Sequence, residues 1–288
     1  MLSRSGIAVM RLLGCLPLAW VRGLGWLLGW LLYALAVHRR RVVQVNLRLC
    51  YPGQTHRHIR SLTIQTFIFF AQAWLDRGWL WHGAAQTVKR RLCLTGALHE
   101  LEGSQPTVIF SPHFVGLDAG WTALTQQVSR AFTTIYSSQT DEIIDAWILA
   151  GRQRFGRSRL FGRADGAKKI ISALRHGTPL YLLPDMNFSL EESVFVPFYG
   201  VSTSTLTSLS RFSRLGRAKV VPVVTRMTAQ GYDVRILPAW THFPTDDLTA
   251  DAAHMNRCLE TYIDEMPAQY YWVHKRFKER PEGERSVY

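Results

Sequence analysis

A long apolar stretch near the amino terminus constrains this 288-residue chain more than any other feature. Residues 12–37 are apolar apart from Arg22, and the basic cluster 38–41 follows at once. A membrane-spanning helix needs about 20 apolar residues, and the uninterrupted part, residues 23–37, is shorter than that. The stretch therefore predicts a membrane anchor that either spans the bilayer, with Arg22 at the interface, or lies in the interface plane.

Two other interpretations of this stretch compete with the anchor. A secretory signal peptide is disfavoured because a basic cluster, and no small-residue cleavage site, follows the apolar residues; such a cluster is typical of the cytoplasmic side. A buried core helix would make Trp20, Trp26 and Trp30 packing residues, although tryptophans at a membrane boundary explain them equally well. We expect residues 1–40 to form the anchor and its basic flank, and residues 41–288 to form one domain.

Composition limits the partners of that domain. The chain has 34 Lys and Arg against 21 Asp and Glu, 47% hydrophobic residues and only 19% charged residues, which excludes disorder and coiled coil. A net charge of +13 indicates an anionic partner, either membrane phosphates or nucleic acid. Nucleic acid is disfavoured because it leaves the apolar stretch without a role. Four scattered cysteines support neither disulfides nor a zinc site, and they indicate a reducing compartment.

Apolar and amphipathic segments alternate after residue 40. The turn Thr-Ala-Gln-Gly between two late strands predicts a β-hairpin. Strands interleaved with helices predict an α/β fold, a mixed β-sheet flanked by helices. The predicted strands are 107–111, 132–136, 179–183, 219–227 and 232–238, and the predicted helices are 59–81, one from about 117, 141–155, 164–176 and 246–264.

The clearest chemical motif is the segment from Ser111 to Asp118, in which His113 precedes Asp118 by five residues. On one straight helix this offset leaves two side chains about 140° apart, so His113 must precede the helix. We then expect Asp118, in the first helical turn, to fold back onto Nδ1 of His113 and leave Nε2 as a general base. Ser111 is interpreted as a structural hydroxyl.

Three further residues are candidates for substrate binding. Arg152 and Arg163 lie in an arginine-rich segment that is either a solvated surface or a cationic site for phosphate groups. Asp185 follows an apolar strand, a position suited to an active site, although a loop cap explains it equally well. The pair His56 and His58 lacks further ligands at metal-binding spacing, so we expect no metal site there.

These motifs, taken in order, resemble the lipid A late acyltransferases, which transfer lauroyl and myristoyl groups and belong to the wider lysophospholipid acyltransferase superfamily. The resemblance covers nearly the whole chain. It is carried by Arg39-Arg40-Arg41 with Asn46-Leu47, by the motif from His113 to Asp118, by Gly151-Arg152, by Pro184-Asp185 with residues 193–200, and by residues 267–278.

The resemblance implies a glycerolipid acyltransferase-like fold and the transfer of a fatty acyl chain. The donor is expected to be a thioester of acyl carrier protein or CoA, the acceptor a hydroxyl of a lipid A-type glycolipid, and the catalytic dyad His113 and Asp118. No cofactor is expected besides the donor. The other expected partners are membrane phospholipids, with no nucleic acid, and the expected location is the bacterial inner membrane with the catalytic domain on the cytoplasmic side.

Two positions depart from the family pattern. Tyr136 is followed by Ser137 where the family usually has arginine, and Asn187 stands where it usually has aspartate. These departures leave open a different hydroxyl-bearing membrane lipid as acceptor, or a non-catalytic membrane-binding protein. A thioester is already activated towards attack, so transfer needs no covalent nucleophile, and the chain has no G-x-S-x-G motif for a serine acyl-enzyme.

Overall fold

Strands and helices alternate along most of the chain, as the sequence pattern predicts. The structure is a computed structural model that describes residues 2–162, 165–187 and 190–288. The strands are β1 (Leu92–Gly96), β2 (Thr107–Phe110), β3 (Phe132–Tyr136), β4 (Ser158–Gly162), β5 (Leu180–Leu182), β6 (Ser193–Phe198), β7 (Val201–Leu206), β8 (Lys219–Thr228) and β9 (Gly231–Ile236). The helices are α1 (Leu2–Gly14), α2 (Leu18–Leu35), α3 (Val37–Cys50), α4 (His56–His82), α5 (Ala85–Arg91), α6 (Leu117–Gln127), α7 (Glu142–Arg152), α8 (Ala167–Arg175), α9 (Ser208–Gly216) and α10 (Leu248–Asp264).

Seven of the strands form one sheet in the order β1-β9-β8-β2-β5-β3-β4. Its pairs are parallel except β8 with β9, which form the predicted antiparallel hairpin. The central strand β2 is buried on both faces, as expected for a sheet covered by helices on either side. Strands β6 and β7 form a separate hairpin. The predicted α/β class with a mixed sheet is confirmed.

Most predicted elements lie within a few residues of the observed ones. The start predicted for α8, Ala164, lies outside the described residues, and Gly177 adopts a φ of +80° just after this helix, as a glycine that ends a helix does. The sequence reading missed β1, β4, α9 and the β6–β7 hairpin. None of these elements is longer than nine residues, so each is too short for a periodic pattern of apolar residues to stand out.

Helices α1 and α2 are separated by a break at residues 15–17, so the apolar stretch 12–37 contains the end of α1 and the whole of α2. One of them, α2, is long and apolar enough to cross a membrane by length and composition. It packs along α4 through its glycines: a Cβ on Gly25 would lie 2.8 Å from Cα of Gln72, and one on Gly29 would lie 2.5 Å from Cα of Ile68. The helix is thus held closely against the rest of the protein.

Arg22, the single charge in this stretch, does not point to solvent. Its Nη2 lies 2.9 Å from Oδ2 of Asp76 on α4, and the Asp76 carboxylate is completely buried. The hydroxyl of Tyr232 and the indole N–H of Trp79 also donate to Asp76. This ion pair joins α2 to α4. The predicted division of the chain into an anchor and a domain at residue 40 stays a prediction.

The outer faces of these helices carry most of the exposed large hydrophobic side chains. An exposed apolar patch of this kind is typical of a surface that contacts a membrane or another protein. We call it the apolar face, and it consists of Val9, Leu12, Trp20, Leu24, Trp26, Leu27, Trp30, Leu31, Leu35 and Val37.

The close approach of α2 to α4 predicts opposite effects for two glycines on the same helix. Gly29→Ala places a Cβ against the α4 backbone and should lower the thermal unfolding midpoint. Gly23→Ala meets no atom within 4 Å and should leave it unchanged or raise it, since Ala is favoured over Gly in a helix by about 1 kcal/mol. Thermal unfolding of both variants in one detergent measures this, and equal shifts would contradict the packing.

Candidate active site

His113 lies just beyond the carboxyl end of β2, next to the end of β5. The two strands are parallel with Phe110 opposite Leu182, and His113 and Asp185 each stand three residues further along. Nδ1 of His113 is 2.8 Å from Oδ1 of Asp185, and the backbone N–H of His113 donates to Oδ2 at 3.0 Å. Strand register therefore assembles a His–Asp pair from residues 72 positions apart.

Asp185 is almost completely buried, and a third group fixes it. The hydroxyl of Tyr270 donates to its Oδ2 at 3.0 Å, and the backbone N–H of Tyr271 donates to the carbonyl of His113 at 3.0 Å. Burial alone raises the pKa of the Asp185 carboxyl, but its attraction to His113 and the hydrogen bonds from His113 lower it below the usual value. An ionised Asp185 accepts a hydrogen bond from the N–H of Nδ1, which leaves Nε2 as the nitrogen that can accept a proton.

Asp118 occupies a different position from the expected one. It lies in the first turn of α6, and its Oδ2 is 2.8 Å from Nε of Arg77 while its Oδ1 is 2.9 Å from Nε of Arg152. Burial raises the pKa of the Asp118 carboxyl, and the two guanidinium groups lower it below the usual value. The predicted contact with Nδ1 of His113 is therefore wrong, because two cations hold Asp118 towards α4 and α7. A catalytic role for Asp118 stays a prediction.

The other sequence candidates lie partly in this region. Arg152 ends α7, and its guanidinium lies over the ring of Tyr136, 5.5 Å from the centroid. Arg163 lies outside the described residues. The hydroxyl of Ser111 donates to that of Tyr181 at 2.7 Å, which agrees with a structural role.

A cavity of about 740 Å³ opens beside these residues. His113, Asp118 and Arg152 line one part of it. Much of the remaining lining is apolar and comes from α8, α9 and the end of β7, with Ile170, Ile171, Leu206, Phe212 and Leu215. Glu192 and Arg211 add two charged side chains to this lining. A cavity of this size that is lined by both apolar and charged side chains suits an amphipathic ligand.

Both positions that depart from the family pattern line the cavity, namely Ser137 and Asn187. Oδ1 of Asn187 accepts from Nη1 of Arg276 at 3.2 Å, and its amide donates to the Arg276 carbonyl at 2.9 Å. Arg276 is buried, and among the described residues no carboxylate lies within 4 Å of it. Its charge is instead neutralised by dipoles, such as the carbonyl of Ser204 at 2.6 Å.

Three residues of the site were missed by the sequence reading, namely Arg77, Tyr270 and Tyr271. Arg77 sits in a helix whose charges suggest an ordinary solvated face. The tyrosines lie in the carboxyl-terminal motif, where the resemblance marked a segment without assigning roles. The offset shared by His113 and Asp185 behind two apolar strands was the signal that could have identified their pairing.

This α/β fold places a partly exposed histidine and a buried aspartate at the carboxyl ends of parallel strands, beside a partly apolar cavity. It has the parts of an enzyme that does acid–base chemistry on an amphipathic substrate. The chain belongs to the bacterial lipid A biosynthesis acyltransferase family, whose model matches residues 2–279. It is accordingly an acyltransferase, and the family is one that acylates lipid A.

Curated relatives match almost the full chain. It is 30% identical to a lipid A biosynthesis lauroyltransferase of Escherichia coli, over 98% of this chain and 93% of the relative. It is 29% identical to a lipid A biosynthesis myristoyltransferase of the same organism, over 86% and 78%. Among solved structures, a 1-acyl-sn-glycerophosphate acyltransferase from Thermotoga maritima covers 85% of this chain and is itself covered to 97%, at 9% identity and a TM-score of 0.39.

The geometry predicts that the two carboxylates have unequal effects on turnover. Asp185→Asn keeps the side-chain shape but removes the charge that orients His113, so kcat for acyl transfer should fall by roughly 10²–10⁴-fold. Asp118→Asn leaves the His113 hydrogen bonds intact and should reduce kcat much less. Steady-state kinetics with matched thermal unfolding curves measure this. If Asp118→Asn lowers kcat as much as Asp185→Asn does, or more, the prediction that Asp185 is the partner of His113 in catalysis is refuted.

Proposed function

We propose that this protein transfers a fatty acyl chain from a thioester donor to a hydroxyl of a lipid A-type glycolipid, with His113 as the general base. The His113–Asp185 pair beside the cavity carries this proposal. Family membership supplies the reaction type, and the pair supplies the group that can take a proton from a hydroxyl.

The proton path follows from the hydrogen bonds of His113. Nε2 takes the proton of the acceptor hydroxyl, and the oxygen attacks the thioester carbonyl carbon. Asp185 stabilises the resulting imidazolium through Nδ1. When the carbon–sulfur bond breaks, the thiolate takes the proton from Nε2 and leaves as a thiol. The base thus returns to its starting state without a covalent acyl-enzyme.

The lining of the cavity supports separate binding regions for the two substrates. The apolar space between α8 and α9 suits the acyl chain of the donor, because apolar walls keep a hydrocarbon chain out of water. The donor is a thioester of acyl carrier protein or of CoA. Both are anionic, and the net charge of +13 favours their approach.

A second candidate is acylation of a different hydroxyl-bearing membrane lipid. It is favoured by one observation: Ser137 and Asn187, the two departures from the family pattern, both line the cavity. A different lining changes which headgroup fits. The His113–Asp185 pair argues against a protein that only binds membranes, since the pair positions a base at the substrate cavity.

We further propose that the apolar face lies in the headgroup region of the bacterial inner membrane, on its cytoplasmic side. An in-plane position is favoured over a span because α2 is held along α4 by Gly25, Gly29 and the Arg22–Asp76 ion pair. A helix covered on one side by a domain has only its opposite side free for lipid. The basic residues 38–41 then lie where anionic headgroups attract them.

Acyl transfer itself is tested by incubating the purified protein with a radiolabelled acyl carrier protein thioester and a Gram-negative membrane lipid extract. We expect one labelled lipid A-type product by mass spectrometry, and none with His113→Ala. A labelled phospholipid in place of a glycolipid would support the second candidate. Equal product from wild type and His113→Ala would refute the general-base mechanism.

Membrane attachment is tested by placing a charge on the apolar face. Leu27→Lys should reduce co-sedimentation with anionic vesicles, because a lysine near the acyl chains costs roughly 1–3 kcal/mol. Leu98→Lys, an exposed leucine away from this face, is the matched control and should bind as wild type does. Binding should persist at high salt, since apolar burial is not screened. Equal binding of the two variants would contradict this orientation.

A further inference from the structure

The pair of arginines that holds Asp118 has no role in the proton transfer described above. We propose that the bridge Arg77–Asp118–Arg152 binds a phosphate group of the glycolipid acceptor, and that Arg77 makes the enzyme selective for a phosphorylated acceptor. This inference rests on the proposed function and names the feature of the acceptor that the site recognises.

The bridge carries a net charge of +1 beside the cavity. Arg77 uses two nitrogens on one oxygen of Asp118, with Nε and Nη2 both 2.8 Å from Oδ2, whereas Arg152 contacts Oδ1 through Nε. Asp118 is buried, and its carboxylate holds the two guanidinium groups in place. Two cations around one anion attract a second anion.

Both arginines keep N–H groups for such a ligand. Within the described residues, no oxygen accepts a hydrogen bond from Nη1 of Arg77 or from either terminal nitrogen of Arg152. About a fifth of each side chain is exposed. Arg77 also lies over Trp74, 4.3 Å from the ring centroid, which fixes the plane of its guanidinium. Planar, oriented guanidinium groups are suited to phosphate oxygens.

The position of Arg77 relates this anion site to the catalytic histidine. Phe70, Trp74 and Arg77 are four and three residues apart, so they share one face of α4. Phe70 contacts the ring of Tyr271, whose centroid is 6.3 Å from that of His113. Phe70 and Arg77 are separated by roughly 10 Å along the helix axis. An acceptor whose reacting hydroxyl and phosphate are separated by about one sugar ring can therefore contact His113 and Arg77 at the same time.

The acceptor suits this site better than the donor does. Trp74 is an exposed aromatic on α4, the same helix that carries α1 and α2 with their apolar face, so a lipid headgroup at the membrane surface meets Arg77 first. The apolar part of the cavity lies at α8 and α9 instead. In the donor, the whole pantetheine arm separates the phosphodiester from the thioester, and this arm is longer than the roughly 10 Å of helix between Phe70 and Arg77.

The test compares Arg77→Gln, Arg77→Lys and the control Arg60→Gln, which removes the same charge from an exposed position of α4. Each is assayed with a phosphorylated lipid A-type glycolipid and with the same glycolipid after phosphatase treatment. Arg77→Gln should raise KM for the phosphorylated acceptor about ten-fold and leave kcat and the donor KM unchanged within about two-fold. With the dephosphorylated acceptor it should match wild type, Arg77→Lys should be intermediate, and Arg60→Gln should be unaffected.

Two kinetic outcomes would overturn the inference. Equal losses on both acceptors would make Arg77 only a structural residue, and a raised donor KM with an unchanged acceptor KM would assign the site to the donor phosphodiester. If Arg77→Gln does not fold, Arg77→Lys decides by the same comparison. If wild type transfers to neither glycolipid, the proposed function fails, and binding to detergent micelles loaded with each glycolipid tests the site by itself. If wild type binds the micelles with phosphorylated glycolipid more tightly and the Arg77 variants lose this preference, the phosphate site is supported. If wild type binds both kinds of micelle equally, the site is refuted.

Discussion

The buried carboxylate of Asp185 is the interaction on which the rest of the site depends. A buried charge without partners is strongly unfavourable, so every group that Asp185 accepts from must be in place in the folded protein. Those groups come from the end of β2, through the backbone and side chain of His113, and from the carboxyl-terminal segment, through Tyr270. The order of the central strands, the loop after β2 and the last part of the chain are thereby fixed together.

A second buried carboxylate, that of Asp76, fixes the position of the amino-terminal helix α2. Asp76 accepts from Arg22, Trp79 and Tyr232, so α2, α4 and β9 meet at one anion. Its pKa is raised by burial, and the surrounding donors oppose that rise. Helix α4 therefore contacts α2 with one face and, through Phe70 and Arg77, reaches the candidate active site with another. In the orientation proposed above, this one helix sets the distance between the membrane and the candidate active site.

The sequence predicts most of this fold but only one member of the proposed catalytic pair. The strand ending at His113 and the hairpin of β8 and β9 were predicted because apolar runs and turn residues are local signals. Pairing His113 with Asp118 used another local signal, a spacing of five, and failed because the side chain in the first turn of α6 meets two guanidinium groups. Asp185 belongs to a pairing of strands far apart in the chain, which periodicity does not encode. Arg77 was missed because an arginine on an amphipathic helix looks like any solvated residue.

The two aspartates of the cavity differ in the charge of their partners. Asp118 is held by two permanent cations, since arginine stays protonated in proteins, and the group keeps its net positive charge at any pH near neutrality. Asp185 is held by Tyr270 and by the imidazole of His113. In the proposed mechanism that imidazole gains and loses a proton during turnover, so a cation faces Asp185 only while His113 carries the extra proton. The first arrangement suits binding of an anion that does not change, and the second suits stabilisation of a transient cation. A pattern of His and Asp five residues apart thus supplies one member to each of two tasks, and the strand β5 supplies the partner that completes the second.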